Sequence, residues 1–160
     1  MEKHSISFDM EVLSPEEVPA IYQTLIDKAL EFREKAYAPY SKFLVGAAVL
    51  TKSGLMFGGA NQENASYPLC MCGERVALYH SAMAAPGDEV VAVAICVKSP
   101  IGDIMQPVMP CGACRQVIKE YEDRYKGDIK IIIRTDDGRV WMVKSVKDLL
   151  PLGFDDSFLI

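Results

Sequence analysis

Three cysteines and one glutamate carry the chemistry that this sequence most directly suggests. Cys111 and Cys114 form a C-x-x-C inside Pro110-Cys111-Gly112-Ala113-Cys114, and Cys72 opens Cys72-Gly73-Glu74. Both segments fall where a loop should pass into a helix, a place whose free N–H groups and positive dipole end favour thiolates. A C-x-x-C alone fits either a redox dithiol or a metal site. A third cysteine at a second helix start favours metal. Zinc with three protein ligands keeps a position open for catalysis, whereas four protein ligands close it into a structural brace. Glu74, one helical step past a ligand, could reach a water in that open position without coordinating the ion, and carry protons between water and substrate.

The other metal-ligating residue types fit less well. Cys70 lies two residues from Cys72, and such neighbours on a helix or turn point in roughly opposite directions. Cys96 sits in the apolar run Val90–Val97 and reads as a small core hydrophobe. Of the two histidines, His4 is in the N-terminal stretch and His80 two turns into a helix, and neither is well placed. The cysteine count is five, which is odd, and a close pair in a reducing cytoplasm is metal-binding or catalytic before it is a disulfide.

The elements that must position these residues follow from pattern. Ser14-Pro15 with Glu17 three residues on is a capping box, predicting a helix over about 15–36 with Val18, Ile21, Tyr22, Leu25, Ile26, Ala29 and Leu30 as its buried stripe. Leu44–Thr51 and Leu55–Ala60, joined at Ser53-Gly54, form a hairpin. A second helix runs over about 71–84 and ends at Pro86-Gly87. Val90–Val97 is a central strand covered on both faces, and after the loop 99–110 a helix spans 112–125. Ile129–Arg134 and Val140–Val143 pair across Asp136-Asp137-Gly138, and Ser145–Leu150 is a short last helix before Pro151. The order predicts a sheet with helices on its faces.

Composition bounds the rest. At 160 residues, 50% hydrophobic and 24% charged, the chain has the size and content of a single domain (1–160) with its own core, so a metal is not needed merely to hold it together. A net charge of −5 disfavours a nucleic-acid partner. The longest apolar runs fall short of the roughly 20 residues that cross a bilayer, so no membrane is expected and the cytoplasm is the expected location.

Five segments in order resemble the cytidine deaminase family, in its short-chain form with three cysteine ligands. They are Ala38-Pro39-Tyr40-Ser41-Lys42-Phe43-Leu44-Val45-Gly46-Ala47-Ala48, Asn61-Gln62-Glu63-Asn64-Ala65-Ser66-Tyr67-Pro68, Cys72-Gly73-Glu74-Arg75, Pro110-Cys111-Gly112-Ala113-Cys114-Arg115-Gln116 and Leu149-Leu150-Pro151. A Cys-x-Glu followed by Pro-Cys-x-x-Cys is a zinc deaminase pattern. The resemblance implies an α/β/α three-layer sandwich with a mixed five-stranded sheet and one Zn²⁺ per subunit. It implies hydrolysis of cytidine and 2′-deoxycytidine to the uridines with release of ammonia, a step of pyrimidine salvage, in a homotetramer whose sites neighbouring subunits complete.

Carried over by position, Cys72, Cys111 and Cys114 would bind zinc and Glu74 would shuttle protons. Asn61 and Glu63 would hold the sugar 3′-hydroxyl, Phe43 would stack on the pyrimidine, and the Gly73 carbonyl would accept from the substrate amino group. Ala65, Tyr67 and Phe154 would meet nucleoside across a subunit boundary. Three thiolates on Zn²⁺ sum to −1, which weakens the pull on water, and Arg75 donating to them would restore it. Gly73 stands where the family usually has alanine, Leu44 replaces a frequent proline, and the tail Gly153–Ile160 departs from the usual ending, so a looser helix start at Gly73 is expected. The rival readings are a deaminase of an altered aminonucleoside such as blasticidin S, a deaminase of a base within RNA, and a non-catalytic zinc-braced module with Cys70 as fourth ligand. The acidic charge opposes RNA.

Overall fold

The computed structural model describes residues 1–159. Among these are strands β1 (Glu11–Leu13), β2 (Leu44–Thr51), β3 (Met56–Ala60), β4 (Val90–Lys98), β5 (Lys130–Arg134) and β6 (Val140–Val143), with helices α1 (Ala20–Arg33), α2 (Gly73–Ala84) and α3 (Gly112–Tyr125). One mixed sheet runs in the order β1-β6-β5-β4-β2-β3. Only β4 and β5 pair in parallel; every other neighbouring pair is antiparallel. The expected α/β/α sandwich is present, with six strands instead of five. The extra one, β1, is three residues long, too short for a periodic signal, and it forms because the edge of β6 offers free backbone groups to Glu11–Leu13.

The central strand sorts the two layers by side-chain size. On one face β4 sets Ala92, Ala94 and Cys96 with Leu25, Ile26 and Ala29 of α1. On the other it sets Val93, Ile95 and Val97 with Ala77 and Leu78 of α2 and Ile118 and Tyr121 of α3. Cys96 is core as expected, 1% exposed, and burial pushes its thiol up to about 12.

The first helix differs from the 15–36 expectation. The Ser14/Glu17 capping box is formed, but it caps only the 3-10 turn Pro15–Glu17, and α1 starts afresh after Pro19. Proline has no N–H to continue the helix and forces the residue before it, Val18, to an extended ψ of 124°. The predicted last helix is likewise a 3-10 turn, Val146–Asp148, capped by the Ser145 hydroxyl. Among the described residues no helix is long and apolar enough to cross a membrane.

Glycine lets the helix that carries Glu74 lie directly on the sheet. A Cβ at Gly59 of β3 would fall 2.3 Å from the Ala77 amide nitrogen and 2.7 Å from the Gly73 carbonyl oxygen. Neither backbone atom can move without shifting α2. Gly59→Ala is expected to cost about 1–3 kcal/mol or more, the usual range for overpacking, seen as a lower denaturant midpoint.

Candidate active site and metal centre

Two of the three cysteines are helix N-caps. Cys72 caps α2 and Cys111 caps α3, both with extended backbone and neither with a side-chain capping bond. An N-cap side chain ordinarily turns back to bond its own helix. These sulfurs instead point toward each other, with Cys114 from the first turn of α3. The Sγ atoms of Cys72, Cys111 and Cys114 all lie within 4.8 Å of one another, with 3.7 Å between Cys72 and Cys111 and 3.5 Å between Cys111 and Cys114. A tetrahedral ion with metal–sulfur bonds of about 2.3 Å has sulfur–sulfur edges of about 3.8 Å. Donor type, number and spacing therefore fit zinc.

Cys70 stays outside this cluster. Its Sγ accepts the Asn64 N–H at 3.2 Å and donates to the Asn64 carbonyl at 3.6 Å, so it braces its own turn. A closed four-cysteine brace is thus not formed among the described residues. His80 Nδ1 is engaged with the Gly58 carbonyl at 3.0 Å, and His4 lies beside Glu2 on the exposed N-terminus.

Charge around the cluster favours a thiolate at Cys72 and raises the proton affinity of Glu74. Hydrogen bonding from Cys114, joined by the Arg75 guanidinium, lowers the Cys72 thiol to about 5, while Cys114, as the donor and by burial, is held above its usual range. Arg75 Nη2 donates to Cys72 Sγ at 3.4 Å, the contact expected of it. Glu74 is only 5% exposed, and burial first, then the nearby Cys72 charge, pushes its carboxyl above the ordinary carboxylate range. A carboxyl with raised proton affinity is suited to exchange protons with a neighbouring group.

A cavity of about 360 Å³ opens beside the sulfurs, with Glu74, Cys72 and Cys111 at one end and Asn61, Glu63 and Phe43 along its wall. The segment Asn61–Glu63 is laced on both sides. Tyr37 N–H donates to the Asn61 carbonyl and Glu63 N–H to the Tyr37 carbonyl, while Gln62 and Met71 exchange both backbone bonds. Met71 precedes Cys72, so this lacing fixes the polar wall relative to the metal-ligating end. The Asn61 side chain bonds the start of β2, accepting the Val45 N–H at 2.8 Å and donating to the Phe43 carbonyl at 2.9 Å.

Gly73 is buried, and α2 begins at it with a regular bond from Val76 N–H to the Cys72 carbonyl at 3.2 Å, so the helix start is not loosened. A Cβ there would sit 3.0 Å from the Val45 carbonyl. Ala65, Tyr67 and Phe154 do not line this cavity. Tyr67 and Phe154 are 68% and 55% exposed, and the Phe154 carbonyl is tied to Gln116 Nε2 at 3.0 Å. Ile160, the end of the predicted tail, lies outside the described residues.

Several wall residues were not singled out in the sequence. Ser41 is one; Val108 and Met109 from the loop before Pro110 are others. Apolar loop residues give no pattern, whereas Ser41, inside a turn two residues before Phe43, could have been flagged as a capping hydroxyl. Arg115, outside the cavity wall, was not singled out either: it donates to the Pro110 and Leu149 carbonyls, each at 2.7 Å, and so fixes the loop that delivers Cys111.

Comparison with known proteins agrees with this geometry. Residues 19–126 match the model of the cytidine and deoxycytidylate deaminase zinc-binding region. The chain belongs to this deaminase family. It is 44% identical over 132 residues to a cytidine deaminase of Halalkalibacterium halodurans, covering 82% of this chain and 92% of that one. It is 37% identical to a probable cytidine deaminase of Dictyostelium discoideum, covering 84% of each. The crystal structure of a cytidine deaminase from Burkholderia pseudomallei superposes with a TM-score of 0.69 at 44% identity, covering 83% of this chain and 98% of that one.

The geometry separates the cysteines by metal content. Cys70→Ser is expected to retain one zinc per chain in freshly purified protein, and Cys114→Ser to lose it, as read by elemental mass spectrometry.

Proposed function

We infer that this protein catalyses the zinc-dependent hydrolytic deamination of cytidine and 2′-deoxycytidine to uridine and 2′-deoxyuridine, releasing ammonia. One observation carries the reading: three thiols gather at two helix N-termini, with a buried, non-ligating Glu74 two residues past one of them, and Cys72, Cys111 and Glu74 line a single cavity. The identity to cytidine deaminases over most of the chain supports the substrate class. Among the described residues, none lining the cavity is a lysine or arginine, which suits an uncharged nucleoside better than a phosphorylated chain.

Cys72, Cys111 and Cys114 would hold the ion, with Arg75 offsetting thiolate charge. Zinc, when bound, supplies Lewis acidity, lowering the pKa of a water from 15.7 toward about 7. Glu74 does the rest of the proton work. Its carboxylate takes a proton from the attacking water and delivers it to the pyrimidine ring nitrogen. After oxygen has added to the amine-bearing carbon, Glu74 takes the remaining proton from that oxygen and passes it to the departing ammonia. Water is consumed and ammonia released, so the carboxyl ends as it began. Phe43 offers a ring face to the base. Asn61 and Glu63 are the polar groups for the 3′-hydroxyl: Asn61 keeps a second amide hydrogen, and the Glu63 carboxylate has more lone pairs than its present partners use.

We place the enzyme in the cytoplasm as a homotetramer. Five unpaired cysteines support the first. Exposed Tyr67, Leu69, Tyr79 and Met83, on α2 and the turn before it, together with exposed Phe154, support the second. Sedimentation equilibrium is expected to return the mass of four chains.

Cytidine turnover followed by ultraviolet absorbance is expected in the zinc-loaded protein and not after chelation. Glu74→Gln should keep its zinc and lose at least about 10²-fold in kcat, the usual worth of general acid–base catalysis. Near-normal activity in that variant would end the proposal.

A further inference from the structure

The Glu63 carboxylate does not stand free in the cavity wall. Its Oε2 accepts the backbone N–H of Tyr40 at 2.9 Å and of Ser41 at 3.2 Å, and its Oε1 accepts the Ser41 hydroxyl at 2.5 Å. The same hydroxyl accepts the Phe43 N–H at 3.0 Å. One side chain thus touches both the carboxylate on the sugar side of the cavity and the backbone of the aromatic residue on its base side. Lys42 between them has a φ of +58°, in the left-handed region, and its N–H closes the turn onto the Ala38 carbonyl at 3.0 Å. That reversal turns the Ser41 hydroxyl back toward Phe43. The turn is held together by Ser41 at its centre and by Glu63 from across the chain.

We propose that Ser41 is a positioning residue for nucleoside recognition: its hydroxyl fixes the Glu63 carboxylate and the Phe43 backbone in one geometry, so that discrimination for a sugar 3′-hydroxyl depends on it. This rests on the nucleoside reading given above. Hydrogen bonding from Ser41 also keeps the Glu63 carboxyl below its usual range, and hence ionised as an acceptor. Without the hydroxyl, Oε1 loses its donor and the carboxylate is held through Oε2 alone, so that the direction in which Oε1 faces a ligand is no longer fixed. An acceptor aimed at a hydroxyl favours the ligand that carries it, and it loses that selectivity when its own aim is loosened.

The test is calorimetric binding of cytidine and 3′-deoxycytidine to the zinc-loaded Glu74→Gln protein, which does not consume the ligand, with and without Ser41→Ala. The preference for cytidine over 3′-deoxycytidine is expected to fall by about 10-fold in Ser41→Ala, the scale of one charge-assisted hydrogen bond, and to return in Ser41→Thr. Added to Glu63→Ala, the Ser41 change should lower the preference no further, because its effect passes through the carboxylate. Should Ser41→Ala lose zinc or its folding transition, Ser41→Cys, with a weaker donor in the same place, carries the same comparison. An unchanged preference in Ser41→Ala, or equal losses for both nucleosides, would overturn the proposal. If the zinc-loaded parent protein binds cytidine with 3′-hydroxyl selectivity but does not deaminate it, the proposed activity fails while the binding ratio still decides the role of Ser41. If neither nucleoside binds, both fall.

Discussion

The structure depends on bringing three sulfurs from two distant parts of the chain within 4.8 Å of one another while keeping a carboxyl beside them that does not join them. Thiols at that spacing without an ion repel one another as they ionise, and a buried acid next to them is costly to charge. Both costs have specific counterweights here. Cys72 and Cys111 are N-caps, where the ends of α2 and α3 favour negative charge, and Arg75 donates to Cys72. A bound divalent cation would offset the thiolate charge and favour the ionised form of the Glu74 carboxyl beside it.

The sheet exists to aim those two helix starts. α2 rests on β3 at Gly59, where no side chain intervenes, and α3 follows β4, which is buried on both faces. The polar wall is carried by a different device. Asn61–Glu63 is a short extended run bonded to Tyr37 on one side and Met71 on the other, and it pins the Tyr40–Phe43 turn through Glu63 and the β2 strand through Asn61. The cysteine end and the Asn61–Glu63 end of the cavity are therefore parts of one hydrogen-bonded assembly. A substitution in the turn at Ser41 would be felt along the wall that faces a ligand.

Much of this was legible in the sequence for a physical reason. Cys72, Glu74, Cys111 and Cys114 sit at helix starts that have their own sequence signals, and ligand spacing is short-range information. The β2 and β3 hairpin, β4, α3 and the β5–β6 pair follow from runs and turns with clear periods. What was not legible depends on tertiary contact. β1 exists only because β6 has a free edge, and α1 begins late because Pro19 interrupts a capping box that reads, taken locally, as one continuous helix. The contribution of Ser41, Arg115, Val108 and Met109 to the site is visible only once the loops are folded against one another. Phe154 and Tyr67 are exposed and stand apart from the cavity, which spacing along the chain does not reveal.

Zinc K-edge absorption spectroscopy of freshly purified protein tests the central claim most directly. Three sulfurs at about 2.3 Å with one lighter oxygen or nitrogen atom at about 2.0–2.2 Å are expected, the open corner being held by solvent. Four sulfurs around the ion, or protein purified without stoichiometric zinc, would contradict it.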